Sequence, residues 1–286
     1  MYETYWNLKK KPFEIGNDPS FYYPAQSHQA VLLKLRYLLE NRRGNGLLLG
    51  DPGSGKSLLV AMLAELRRKG SSLGPLLEVN MPQFSPQDLL FYLAEKLEAL
   101  PTPGPKSGKD ADHFSFPSDE QPPVYKAFSS IERILKRLAG EKQKPVLVLE
   151  GAERIHDPDV WSVLKSIAGL EFRGAPLLTL LLTASDAKLV RPIPFVEEYL
   201  EAVAELHPFD EAETAGYVAH RLEKAGAKRT DIFTPKGLDA IHQLTEGNPR
   251  RINRLCDMAL LVGFAEQLPR IDDEVIVNLN NELIPS

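Results

Sequence analysis

Gly50 to Ser57 read GDPGSGKS, a run that satisfies G-x-x-x-x-G-K-[ST] in full. Each fixed residue type has a physical task. Gly50, Gly53 and Gly55 let the backbone wrap tightly and aim N–H groups at an anion. Those amides open a helix, whose dipole favours negative charge. Lys56 is placed to reach the β and γ phosphates of a nucleotide, and the Ser57 hydroxyl to ligate Mg²⁺. The candidate nucleotide contacts are Gly50, Asp51, Pro52, Gly53, Ser54, Gly55, Lys56, Ser57 and the adjoining Leu58. The chemistry implied is the holding of ATP or ADP with magnesium.

A second stretch bears on whether the triphosphate is also cleaved. Pro145 to Arg154 read PVLVLEGAER. In phosphate-loop ATPases the strand that carries the metal acid ends with it directed at the nucleotide. Glu150 holds that place and is the candidate metal ligand beside Ser57, its extra methylene shifting the carboxylate. The position after it, which would carry a general base, is Gly151 and has no side chain. Glu153 is the nearest substitute. Two readings stand for it: a base that reaches in if the turn folds back, or a solvated turn residue paired with Arg154 on the surface. General-base assistance is worth roughly 10²–10⁴ in rate, so its loss predicts intact binding and slow turnover. His156 reads as a surface turn residue.

Strands and helices must hold these groups. GLLLG (46–50), PLLEVN (75–80), 145–150, PLLTLLL (176–182) and the fainter AVAEL (202–206) read as strands. Helical spacing covers Ser27–Asn41, Ser57–Lys69, a segment capped by Ser85 through Leu100, 124–139 and Asp157–Gly169. Apolar strands alternating with helices mean a parallel sheet with helices on both faces. After Pro208 only helices remain: one capped by Asp210 with Glu213 three residues on, one opened by Thr234–Pro235, one begun by GNPRRINRL, and a last over Asp272–Leu283. Residues 101–123, rich in Pro, Gly, Ser and Asp, read as a mobile surface loop. The expected division is an arm at 1–30, an α/β nucleotide-binding core at 31–207 and a helical lid at 208–286. The arm's aromatics, Tyr2, Tyr5, Trp6, Phe13, Phe21, Tyr22 and Tyr23, are expected to clasp the sheet.

Bulk properties narrow the class. Hydrophobic residues are 43% and charged residues 26% of 286, a globular composition. No apolar run approaches the length of a membrane helix, and the N-terminus lacks the apolar core of a secretory signal. The single cysteine, Cys256, excludes an internal disulfide framework and reads as an inert core thiol. A net charge of −5 argues against a dedicated nucleic-acid binder. No His/Cys cluster has zinc spacing. The expected compartment is cytoplasmic.

The two ends of the chain resemble the ExeA/GspA-type AAA+ ATPases of general secretion, which neighbour the TniB-type transposition ATPases. The opening supplies Met1, Tyr2, Tyr5, Trp6, Leu8, Pro12 and Phe13, then Asp18, Pro19, Phe21, Ser27 and His28. The closing part supplies YVAHRLEKAG (217–226), FTPKGLDAI (233–241) and GNPRRINRLCDMALL (247–261). The resemblance implies an AAA+ P-loop NTPase fold, strand order 5-1-4-3-2 and a C-terminal lid. It makes Arg250 the sensor-2 arginine on the γ phosphate and lets Tyr23 to His28 line the adenine; otherwise His28 caps or packs the first helix. Departures are as informative. The family reads D-E-A-Q where this chain has Glu150-Gly151-Ala152-Glu153. Its sensor-1 residue is Ser185 or Asp186, depending on register. Phe195 to Leu206 contains no arginine to serve as a finger across a subunit interface, Arg191 being the nearest. A missing finger alone costs about 10³–10⁵ in rate. Expected is therefore a slow ATPase or nucleotide switch with a protein partner, possible homo-oligomerisation, and a membrane-embedded secretion or pilus-type component reached only through that partner. A non-hydrolysing scaffold and a DNA-linked regulator are the rivals.

Overall fold

The structure, a computed structural model, describes residues 1–41, 44–80, 84–100, 124–190 and 198–283. The expected loop at 101–123, Arg191 and the first residues of the segment begun by Phe195 lie outside the described residues. Two compact units emerge. One comprises 34–49 and 66–204; the other comprises 1–33, 50–65 and 205–286. The cut is not the sequential arm, core and lid: the arm, the phosphate loop and the lid helices group together.

Helices α1 (Gln26–Glu40) and α2 (Lys56–Arg68) flank β1 (Asn45–Leu49) in sequence. With β2 (Leu76–Asn80), β3 (Val146–Glu150), β4 (Thr179–Ala184) and β5 (Leu200–Glu205), β1 forms one sheet in the order β2-β3-β4-β1-β5. That is the expected 5-1-4-3-2 read from the other edge. β1 with β4, β2 with β3 and β3 with β4 run parallel. β3 is buried except at Glu150, and β4 throughout, as unbroken apolar strands covered on both faces should be. Helices α3 (Pro86–Glu98), α4 (Val124–Gly140) and α5 (Pro158–Ala168) add Leu89, Ile131 and Leu164 to the core around Leu147 and Leu180. Ser85 and Asp157 cap α3 and α5, each followed by a proline at the start of the helix.

The fourth strand begins three residues later than its apolar run suggests. Ala175 and Pro176 instead pair antiparallel with Phe172 and Glu171 in a small hairpin. Arg173 and Gly174, at φ of 56° and 75°, turn it, the positive pair that a tight two-residue hairpin needs. β4 therefore ends at Ala184, and Ser185 directly follows it.

The other unit holds the lid helices α6 (Glu211–Lys224), α7 (Pro235–Thr245), α8 (Pro249–Ala265) and α9 (Asp273–Leu283). Asp210 and Glu213 close the expected capping box. The arm corrects one expectation. Its aromatics are interior residues of the lid: Tyr2, Trp6, Leu8 and Phe13 share one buried cluster with Val218, Leu255 and Leu260. Trp6 Nε1 donates to the Leu260 carbonyl at 2.9 Å, and Tyr5 Oη to that of Leu268 at 2.7 Å. Buried Arg221 donates to the Pro12 and Glu14 carbonyls at 2.5 and 2.9 Å, under the ring of Phe21. An aromatic-rich segment needs an apolar partner, and composition alone does not say which; here it is the lid.

Candidate functional site

The phosphate loop is fixed through its carbonyls. Lys56 Nζ donates to the carbonyls of Gly50 and Asp51 at 2.5 and 3.2 Å. Asn248 Nδ2 reaches the Pro52 carbonyl at 3.1 Å, and the Arg250 amide that of Gly53 at 3.3 Å. His28 Nε2 takes the Ser54 carbonyl at 2.9 Å. The carbonyls of residues 50 to 54 are thus all engaged. In a trans peptide the N–H points opposite to its C=O, so carbonyls turned toward α8 and α1 leave the partner amides of Gly53 and Gly55 facing the other way, where an anion would be cradled.

Gly53 is dictated by the lid. It sits at φ 92°, and a Cβ there would stand 2.5 Å from Arg250 Cβ and 2.8 Å from Asn248 Oδ1. Asn248 caps α8, its Oδ1 accepting from the amides of Arg250 and Arg251. The Arg250 side chain is exposed and makes no ion pair among the described residues.

His28 is buried, and its partners settle its tautomer. A carbonyl only accepts, so Nε2 carries the proton; Nδ1, 3.1 Å from Ser27 Oγ, accepts from that hydroxyl. Burial holds its pKa below the ordinary imidazole value, consistent with a neutral ring. It lies against Phe209, ring centroids 4.9 Å apart. The expected packing role of His28 is seen in this contact. Tyr23 packs on Phe209, Tyr217 and His220, and Gly216 leaves room for it, since a Cβ there would lie 2.3 Å from Tyr23 Oη.

In the sheet unit, the parallel register sets Asn80, Glu150 and Thr183 side by side at the strand ends. Gly151 follows at φ 73°, its amide donating to Thr183 Oγ1 at 3.2 Å. The space a side chain would take there is filled: a Cβ on Gly151 would stand 2.2 Å from Arg154 Nη2 and 2.7 Å from its Cζ. Arg154 donates to Asn80 Oδ1 and to the Glu150 carbonyl, both at 3.3 Å. It does not pair with Glu153, which corrects the surface ion pair considered above. Nor is Glu153 a solvated turn residue. Its Oε1 accepts from the Ser185 hydroxyl at 2.9 Å and the Ser185 amide at 3.3 Å, while Oε2 is buried without a partner. Of the two sensor-1 candidates, Ser185 meets this carboxylate, whereas Asp186 is spent capping the amide of Lys188. Glu78 on β2 has its carboxyl pushed up, first by desolvation and then by the charge of Glu150.

Comparison with known proteins places the chain. The family model for an AAA domain matches residues 39–189, more than half of the 286. The chain belongs to the AAA family. It is 28% identical over 270 residues to general secretion pathway protein A of Aeromonas hydrophila, which bears out the resemblance read from its two ends. That match takes in 93% of this chain and 45% of the relative, so the chain spans less than half of that protein's length. An uncharacterized HTH-type transcriptional regulator of Methanocaldococcus jannaschii is 21% identical over 94% of this chain and 71% of that protein. Among solved structures, Cdc6p from Pyrobaculum aerophilum superposes with a TM-score of 0.66 at 16% identity, covering 93% of this chain and 71% of that one.

The AAA loop fits a nucleotide phosphate on its own geometry. Its carbonyls are satisfied outward, a Cβ at Gly50 would lie 2.6 Å from Ser54 Oγ, and that buried hydroxyl is itself unpartnered. Among the described residues no group of three or more His, Cys, Asp or Glu could hold a metal alone. Magnesium on a nucleotide takes phosphate oxygens and water with one or two protein ligands rather than an all-protein cage. Thr183 and Asn248 escaped the sequence reading, and Arg154 was read only as a surface partner for Glu153. Thr183 gave no signal, since its partner Gly151 is distant in sequence, and the fold of the turn that lays Arg154 over Gly151 has no local signature. Asn248 did give a signal: it stands directly before Pro249, a capping position, but its second bond to the loop is invisible locally.

Proposed function

We propose that this AAA protein binds magnesium–ATP on the 50–57 loop and acts as a slow ATPase or nucleotide switch in secretion- or envelope-associated assembly. The observation that carries the reading is the run of engaged carbonyls from 50 to 54, which presets the loop for anion capture. In this reading the amides of the loop and Lys56 hold the β and γ phosphates, Ser57 and Glu150 serve the metal, and Arg250 answers to the terminal phosphate. Magnesium supplies neutralisation of the charge on the phosphate oxygens. Glu153 is the only acid of the EGAER turn besides Glu150, and Ser185 orients it; it is assigned the proton of the attacking water. Slow turnover follows from Gly151, whose place is covered by a guanidinium rather than filled by a carboxylate.

That same cover favours a second reading, a scaffold that holds ATP without cleaving it. One experiment separates the two: ATP and ADP affinity of the pure protein measured beside steady-state phosphate release. Tight binding with slow release supports the ATPase, and tight binding with none the scaffold. Lys56→Ala should weaken nucleotide binding roughly 10- to 100-fold, the worth of charge-assisted hydrogen bonds. Failure of the wild type to retain nucleotide with magnesium, or indifference to Lys56→Ala, overturns both. The partner class is proposed to be a protein of an assembly or secretion system, by likeness to the general secretion relative. Among the described residues no helix is long and apolar enough to cross a membrane.

A further inference from the structure

We infer that Asn248 is a positioning residue for the phosphate loop, a link, separate from the Arg250 side chain, through which bound nucleotide is felt by lid helix α8. The inference rests on the nucleotide-binding reading above and names a regulatory route for that site.

The two ends of one amide do different work. Oδ1 accepts from the amides of Arg250 and Arg251 and so caps α8. Nδ2 leaves the helix and donates to the Pro52 carbonyl at 3.1 Å. With two N–H groups aimed at it, the capping atom must be the oxygen, which fixes the orientation of the amide. Ser or Asp would cap as well. Asp carries no donor, and a serine hydroxyl is one bond shorter. The cap alone therefore does not explain asparagine; the bond to the loop does.

That bond acts on the phosphate side of the loop. The Pro52 carbonyl and the Gly53 amide belong to one peptide plane. Holding the carbonyl aims the amide, and polarising one end of a hydrogen-bonded unit strengthens the other. His28 does the same for the plane of Ser54 and Gly55. The contacts close into a ring. Gly247, next to Asn248, accepts from the Phe209 amide at 3.0 Å, and the Phe209 ring lies on His28. Gly53 cannot drift from α8 without opening this ring, and a side chain at 53 would collide with Arg250 Cβ.

The test uses the full chain with Asn248→Ser and Asn248→Ala. Serine keeps the cap and loses only the donor to Pro52; alanine loses both. Expected for Asn248→Ser is an unchanged melting temperature with magnesium–ATP and magnesium–ADP bound on the order of fivefold more weakly, the worth of one hydrogen bond. In the wild type, adding magnesium–ADP, which has no γ phosphate for Arg250 to answer to, should slow amide hydrogen exchange in residues 250–253, and in Asn248→Ser that response should shrink at least severalfold. Asn248→Ala should in addition lower the melting temperature. If Asn248→Ser binds and protects α8 as the wild type does, the inference is overturned. It is equally overturned if serine and alanine lower the melting temperature alike while the exchange response persists, because the residue then only caps. Should serine fail to fold, Asn248→Asp, a comparable cap without a donor, carries the same comparison. A wild type that binds no nucleotide sinks the functional reading, and this inference with it.

Discussion

Restoring an acid at position 151 tests the account of slow turnover, and the structure shows why the simple substitution is a poor test. Gly151 stands at φ 73°, in the left-handed region, where a residue with a Cβ is disfavoured by roughly 1–2 kcal/mol. The new Cβ would lie 2.2–2.7 Å from the Arg154 guanidinium, which must swing away and lose two hydrogen bonds of 3.3 Å to uncharged acceptors. The displaced cation then stands beside the new carboxylate and pairs with it, an exposed contact worth about 0–1 kcal/mol. Gly151→Glu alone should therefore cost about 1–2 kcal/mol of stability and return little activity, because its carboxylate is engaged. Gly151→Glu with Arg154→Ala removes both the obstruction and the counter-ion. Phosphate release should then rise by something approaching the 10²–10⁴ attributed to a general base, with ATP affinity within a few-fold of the wild type. The assay is steady-state phosphate release at saturating magnesium–ATP, beside thermal melts of all three proteins. If the single variant is as fast as the double, Arg154 does not govern the position. If neither gains tenfold, the lost side chain is not what limits turnover.

Other expectations follow from the same contacts. Glu153→Gln keeps an oxygen for the Ser185 donors, so it should leave the fold and ATP affinity unchanged while lowering residual phosphate release by at least tenfold; equal rates would remove Glu153 from the chemistry. Burial lowers the His28 pKa below its ordinary value of 6.5. Below about that pH the unfolded chain takes up the proton and the folded one resists it, so this residue costs stability as pH falls from there toward the depressed value and costs nothing above it. Melting curves from pH 8 to pH 5 should therefore fall more steeply for the wild type than for His28→Asn; parallel curves would contradict the assignment. Trp6→Ala removes a buried ring and its bond to the Leu260 carbonyl, and should destabilise the unit by about 3–5 kcal/mol in urea unfolding; a loss under 1 kcal/mol would mean the arm is not part of the lid core.

What was legible in the sequence was local. The phosphate loop is a contiguous run, and the helix starts at Ser85, Asp157, Asp210 and Thr234 announce themselves by a capping side chain and a proline or glutamate within one turn. Strand order followed from the resemblance and is that of the sheet. What stayed hidden depended on distant partners. The fourth strand's edges were masked by an apolar run with no polar punctuation, and only the Arg173–Gly174 turn showed where the hairpin ended. The gap at Gly151 was visible as a missing side chain, but not that Arg154 lies over it. Glu153 could be read as base or surface residue because its partner, Ser185, lies 32 residues on, just past the end of β4. The arm's aromatic content called for burial without specifying against what.

Trp6 and Leu260 are 254 positions apart, and that distance carries a consequence for biogenesis. The opening aromatics leave the ribosome long before α8 exists, so they must wait, exposed, while the whole sheet-forming stretch is made. Closing so large a loop is slow, whereas the sheet-forming unit has nearly all its residues in hand by Ala204. A chaperone binding the arm would thus hold its client while the whole sheet-forming stretch is made, and release would coincide with emergence of α8.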